Sequence, residues 1–319
     1  MEKWTTERLE QLLNGDISKR EIIDDSKSDR FIEMIKINNR KVFIKYGDDD
    51  GLRNEIIVYE SVLNGNQHQV PAVIKAKEVE NNEYFLALEW IEGIHPEFEN
   101  KNHNEIVFTA LGKWTAEWSK QIEVLSNIPK TELYDISSLE ILLNKHSESL
   151  KHMFGNSLVT LLQQIVSFQH IIIQHIEKFP LTLDPGDISL HNVLLDRKDK
   201  VNFIDFEYCS IRPMIMVVEH FGEEYTSIPY RQSDIDIALK AYVDAWNEHS
   251  NASIRWDDFA RSHLCARIYY KVGSFLYWIK EIVGGDDSEE IKEWVKKGQE
   301  QLQELVNHFK MKGFLTNRM

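Results

Sequence analysis

Along the first ninety residues apolar and polar positions alternate in short runs; beyond Gly93 they recur at helical spacing. A period of two marks strands with one buried face, whereas recurrence at every third or fourth position marks amphipathic helices. Arg30–Ile37 and Lys41–Tyr46 read as two strands joined at Asn38-Asn39-Arg40, because Asn tolerates the positive φ of a tight turn. Val73–Val79 and Glu83–Trp90 form a second hairpin around Glu80-Asn81-Asn82. Between the hairpins, Leu52, Glu55, Ile56, Tyr59 and Leu63 share one face of a helix, with Gly65 just past its end.

After Gly93 the periodicity predicts long helices over about His103–Leu125, Ser138–Met153, Ser157–Phe179, Arg231–Glu248, Trp256–Val283 and Ser288–Lys310. One insert interrupts them: Leu181–Leu183, a loop, Val193–Leu195, the turn Asp196–Lys200, and a strand over Val201–Asp205. The greasiest stretch, Leu158–Ile176, is broken by Gln163, Gln164, Gln169, His170, Gln174 and His175, so it reads as a buried helix and no membrane span is expected.

Candidate chemistry sits in the insert. Pro185-Gly186-Asp187-Ile188-Ser189-Leu190-His191-Asn192 places an Asp and an Asn five residues apart on a loop, and Phe203-Ile204-Asp205-Phe206-Glu207 returns a second Asp. Asp and Asn also satisfy tight turns, so the loop alone fits either reading. Together, however, the two motifs supply a carboxylate to orient and deprotonate an attacking hydroxyl, and oxygen ligands that fix magnesium against nucleotide phosphates.

At these residues the chain resembles the superfamily of aminoglycoside phosphotransferases and choline/ethanolamine kinases, with their His-Gly-Asp-x-x-x-x-Asn and Ile-Asp-Phe motifs. The resemblance implies an α+β, bilobal, protein-kinase-like fold: a nucleotide-binding lobe of antiparallel strands and one helix over residues 1–92, and a mostly helical lobe over 93–319 with the catalytic loop and acceptor site. It further implies that Asp187 is the catalytic base, that Asn192 and Asp205 hold Mg2+, and that ATP or GTP is the phosphate donor. Kinases also place a Lys on the third strand and a Glu on the next helix. Lys45 and Glu55 stand there, and a charge on an apolar helix face is costly unless paired. Ser28, in Ser26-Lys27-Ser28-Asp29-Arg30, is the expected phosphate contact, with a plain polar hairpin loop as the other reading. Leu88-Glu89-Trp90-Ile91-Glu92-Gly93 resembles the kinase hinge, where backbone groups of Glu89 and Ile91 would meet the adenine edge and Gly93 would permit the exit.

Two departures stand out. Pro185 replaces the superfamily's His, and no Asp follows Asp205 at the usual interval of about a dozen residues; Glu219 is the nearest substitute. They motivate an alternative, a nucleotide-binding pseudokinase acting as an interaction module. Composition narrows the partners. A formal net charge of −15 opposes a nucleic-acid partner and suits a cationic, amine-bearing acceptor, with Glu219, Glu223, Glu224, Asp234 and Asp236 as one candidate patch. Trp114–Trp118 and Tyr269–Trp278 fall at helical spacing and read first as packing, the latter group with an acceptor pocket as second reading. The 12 His residues contain no zinc-type spacing, and the 2 Cys suit a reducing, cytoplasmic compartment better than a disulfide scaffold. The start, Met1–Glu7, has no apolar signal-peptide core. Acceptor identity and oligomeric state are not legible.

Overall fold

The computed structural model describes residues 3–24, 29–63, 69–79, 82–97, 99–130, 137–219, 232–285 and 288–314. The chain divides into two compact units. One comprises Met1–Lys130, Thr182–Ile211 and Glu223–Ala252, the other Thr131–Leu181, Arg212–Gly222 and Ser253–Met319.

The first unit opens with α1 (Thr6–Leu13), which the sequence reading did not place. Its eight residues bury Leu9, with Leu12 and Leu13 partly buried on the same face, and Thr5 caps it by accepting from the Arg8 N–H; two turns are the short limit of a helix that periodicity marks. A five-stranded antiparallel sheet follows, built from β1 (Ile17–Asp24), β2 (Arg30–Ile37), β3 (Arg40–Gly47), β4 (Val73–Glu78) and β5 (Tyr84–Glu89) in the order β1-β2-β3-β5-β4. The β2–β3 turn forms as expected: Asn38 and Asn39 both take positive φ, 48° and 63°. One sheet face carries Ile35, Ile37, Val42, Ile44, Tyr46, Phe85 and Ala87, covered by Trp4 and Leu9. Alternation sends Lys45 to the opposite face, toward α2 (Asp50–Val58), whose first turn is capped by Asp49. The α2 residues Leu52, Glu55 and Ile56 are buried as predicted, and the helix continues through one π turn over Tyr59–Leu63.

Beyond the sheet, β6 (Gly93–Ile94), β8 (Val193–Asp196) and β9 (Val201–Phe203) make a three-stranded sheet ordered β6-β8-β9; β7 (Leu181–Asp184) precedes the loop that carries Asp187 and Asn192. Asp196 shapes the β8–β9 turn by accepting from Lys198 N–H at 2.7 Å and Lys200 N–H at 3.0 Å. Gly93 is required by proximity, since a Cβ there would lie 2.6 Å from the Leu195 carbonyl oxygen. Helix α3 (Lys101–Ser119) ends before the expected Leu125, because Lys120 and Gln121 already bond three residues back and a 3₁₀ turn follows over Ile122–Val124. It packs against α7 (Gln232–His249), where the Thr115 hydroxyl meets the Tyr242 hydroxyl at 3.1 Å.

The second unit contains α4 (Ser137–Phe154), α5 (Asn156–Glu177), α6 (Met214–Val217), α8 (Trp256–Gly284) and α9 (Glu289–Met311). All but the short α6, which the periodicity did not mark, match the predicted helices within a few residues and bury apolar faces against one another; Phe168, for example, stacks on Phe309 at 4.7 Å. No described helix is long and apolar enough to cross a membrane.

Candidate active site

Lys45 is the centre of the site. It is buried, and its Nζ donates to Glu55 Oε2 at 2.8 Å and to Asp205 Oδ1 at 2.6 Å. Burial works against the ammonium charge, but the two carboxylates outweigh it and hold the pKa above its ordinary range. Glu55 Oε1 also accepts the Phe206 N–H at 3.2 Å, which ties α2 to the residue after Asp205. Phe206 is itself fixed by the rings of Tyr59, at 5.5 Å, and Trp114, at 6.0 Å. The Lys45–Glu55 pair expected from strand and helix register is therefore present, with Asp205 as a third member.

The strand carrying Asp205 was expected to run through it; in the structure β9 stops at Phe203. Asp205 lies two residues beyond, in the left-handed region with φ 66°. That conformation is uncommon outside Gly and Asn and strained for most side chains. Here it turns a carboxylate that is 26% exposed back to Lys45.

The loop from Asp184 to Asn192 brings the other two residues in. Gly186 has φ 106°, and a Cβ on it would lie 2.6 Å from the Tyr208 carbonyl carbon, so only glycine lets the loop come this close to the segment after Asp205. Asp187 is half-buried. Burial raises its pKa, the charges of Asp205 and Glu207 raise it further, and His191 opposes them. Asn192 Nδ2 donates to the Asp187 carbonyl at 2.7 Å, so of its two amide atoms the oxygen is the one that could ligate a metal. One carboxylate and one amide oxygen form a hard-oxygen donor set; magnesium typically takes one or two protein ligands and completes its shell with phosphates and water. Among the described residues no group of three or more His, Cys, Asp or Glu could hold a metal by itself.

A second charged cluster escaped the sequence reading. Arg30, buried at the start of β2, is ion-paired with Glu207 and lies 3.2 Å from Asp49 Oδ2, while Asn54 Nδ2 donates to the Glu207 carbonyl at 2.7 Å. These bonds join the root of the β1–β2 connection, the N-terminus of α2 and the segment after Asp205. Partners 177 residues apart leave no local signature in sequence.

Ser28 lies outside the described residues. At the hinge the Glu89 N–H donates to the Ala72 carbonyl at 2.8 Å, so an adenine contact at this residue falls to its carbonyl. A cavity of about 400 Å³ beside the hinge is lined by Val70, Pro71, Glu89, Trp90, Glu92 and Lys200 among others, and by none of Lys45, Asp187, Asn192 or Asp205. Of the acidic patch, Glu219 is buried and pairs with His263 Nε2 at 2.5 Å, Asp236 is exposed, and residues 220–231 lie outside the described residues. Trp114 and Trp118 are core residues in edge contact at 5.7 Å.

No family model matches the chain, and no curated protein matches it in sequence. Solved structures do. Aminoglycoside 2'-phosphotransferase-IIIa in its GDP complex aligns with a TM-score of 0.65 at 15% identity, over 96% of this chain and 100% of that one. Choline kinase from Cryptosporidium parvum gives 0.65 at 14% identity, over 93% and 91% of the two chains. Spectinomycin phosphotransferase, in complex with ADP and spectinomycin, gives 0.57 at 13% identity, over 94% and 95%. The chain has the protein-kinase-like α+β fold of aminoglycoside phosphotransferases and choline/ethanolamine kinases, the superfamily that its motifs resemble.

Proposed function

We propose that the protein is a small-molecule kinase that moves the γ-phosphate of ATP, or of GTP, to a hydroxyl on a small, amine-bearing acceptor such as an aminoglycoside-like antibiotic or an amino alcohol. The observation that carries this reading is the convergence on Lys45 Nζ of Glu55 and Asp205, the latter 160 residues away, in a chain whose catalytic-type loop ends beside Asp205. In this reading residues 1–92 bind nucleotide, and 93–319 carry the catalytic loop and the acceptor site. Lys45 holds the phosphates, and Glu55 holds Lys45. Asp187 aligns the acceptor hydroxyl and takes its proton as the oxygen–phosphorus bond forms and the bond to the leaving diphosphate breaks. Its raised pKa suits proton acceptance better than that of a fully solvated carboxylate. Asn192 and Asp205 would hold magnesium, which when bound would neutralise charge on the phosphates. The net charge of −15 supports a cationic acceptor and no nucleic-acid partner, and the 2 Cys support a reducing, cytoplasmic setting.

The test is ADP release from Mg-ATP or Mg-GTP across a panel of amine-bearing alcohols. Asp187→Ala should lower turnover by roughly a thousandfold while Mg-nucleotide still binds. Full turnover in that variant would refute the assignment.

A further inference from the structure

We infer that Asp184 is a positioning residue for the catalytic loop, anchoring the turn that presents Asp187; the inference rests on the reading of Asp187 as the catalytic base. The superfamily's loop histidine is absent, and Pro185 in its place has neither a backbone N–H nor a side-chain donor. Next to it stands Asp184, with no exposure to solvent and with Oδ1 accepting the Gly186 N–H at 3.0 Å. A carboxylate is unfavourable in such a place unless it is hydrogen-bonded, and a small apolar side chain could fill the space at no such cost. The bond to Gly186 gives this buried carboxylate a partner and a role.

Backbone freedom shows why the anchor falls where it does. Proline fixes the φ of residue 185, so the softest torsions before Asp187 are those of Gly186. Gly186 has to keep φ at 106° with its Cα pressed against Tyr208 and Cys209. A carboxylate on its N–H holds that one loose joint. On either side the chain is already tied down. Upstream, the Thr182 hydroxyl donates to the Thr115 carbonyl at 2.6 Å, and Trp114 Nε1 donates to the Leu183 carbonyl at 3.2 Å, both on α3. Downstream, the Ile188 N–H donates to the Gly186 carbonyl at 3.1 Å and Asn192 holds the Asp187 carbonyl. Asp184 therefore closes an unbroken series of attachments from α3 to the base, doing through the backbone what a loop histidine would do through its ring. Small displacements of a catalytic group are expensive in rate, which is what such an anchor prevents.

The test uses the full chain with Mg-ATP and water as acceptor, so no acceptor need be known. Asp184→Ala and the better-filling Asp184→Val should each speed hydrogen exchange in the peptide spanning residues 183–192 by about tenfold and slow Mg-ATP hydrolysis by about tenfold or more, with Mg-ADP affinity within about twofold of wild type. Asp184→Asn, which keeps an oxygen acceptor, should restore most of both. Wild-type exchange and hydrolysis in the Ala and Val variants would overturn the inference. So would an Asn variant as impaired as Ala with an equally lowered Tm, the signature of a purely structural residue. If wild type neither hydrolyses nor binds Mg-ATP, the phosphotransferase reading fails separately, and the exchange comparison still decides whether Asp184 holds the loop.

Discussion

Glu33 on one face of the five-stranded sheet and Glu55 on the helix covering the other are both fully buried, and both are paired with cations. Their surroundings differ in one respect. Arg20 grips Glu33 with two nitrogens at 2.7 and 2.8 Å, the Tyr46 hydroxyl donates at 2.6 Å, and Lys3 approaches to 3.4 Å. Burial pushes the Glu33 carboxyl up, but Arg20 and Tyr46 outweigh it and hold it below the usual carboxylate range. Every one of these partners comes from the first 46 residues, and the network closes on itself. The Lys45–Glu55 pair instead takes its third member, Asp205, from 160 residues further along the chain, and that member keeps part of its carboxylate toward solvent. A closed cluster contributes to stability; an open one keeps capacity for a ligand.

Four substitutions can break or sharpen this contrast. The largest effect should come from Lys45→Met, which removes the open cluster's cation: turnover should fall by about a hundredfold or more. A variant that loses less than tenfold in a coupled assay would place phosphate binding elsewhere. Second, Arg20→Met should destabilise the fold by about 3 kcal/mol, because Glu33 is left buried without its bidentate partner. Chemical denaturation would show this as a lower midpoint with unchanged slope, and turnover of the folded fraction should stay near wild type. Third, Lys45→Met combined with Glu55→Leu should melt within a few degrees of wild type although inactive, since replacing both members of a buried pair with apolar groups is often close to neutral. A collapse in Tm would mean that the inner cluster also supports the fold.

The smallest effect concerns the helical unit. Burial, with Lys178 and Arg261 adding to it, depresses His175 to about 4, and its Nδ1 sits 3.0 Å from the Ser262 hydroxyl. The unfolded chain takes up this proton near the ordinary value of 6.5, so the stability it contributes is present above that pH and lost as pH falls toward 4. His175→Gln should flatten the pH dependence of Tm in that window while leaving turnover at neutral pH unchanged. Identical pH profiles for the two proteins would remove His175 from the account.

What was legible in the sequence follows the same division. Asp187, Asn192 and Asp205 could be found because spacing and residue type are both constrained on a short loop and hairpin. Lys45 and Glu55 were found because alternation and helical periodicity place a charge on a buried face. Asp184, Arg30 and Glu207 were missed for a common reason: each is a single charged residue whose partners are backbone or lie on other elements, 177 positions apart for Arg30 and Glu207, so no pattern marks it. Helix α1 escaped because it is only two turns long, with Leu9, Leu12 and Leu13 as its apolar face, and α3 was drawn too long because Ile122, Val124 and Leu125 continue its apolar rhythm after the backbone has tightened into a 3₁₀ turn. Hinge chemistry depends on backbone atoms, which side-chain identity does not report.

The unit that holds Lys45 and Asp205 is assembled from three stretches of chain, the last ending at Ala252, with a piece of the other unit between the first two. During synthesis at about 5–20 residues per second, Asp205 leaves the ribosome roughly 8–30 s after Lys45. Through that interval the lysine and Glu55 lack their third partner, and Gly186, whose backbone packs against the segment after Asp205, is itself made only shortly before Asp205. The cluster around Lys45 is therefore completed late in translation, and a chain released early lacks the carboxylate that Asp205 brings to it.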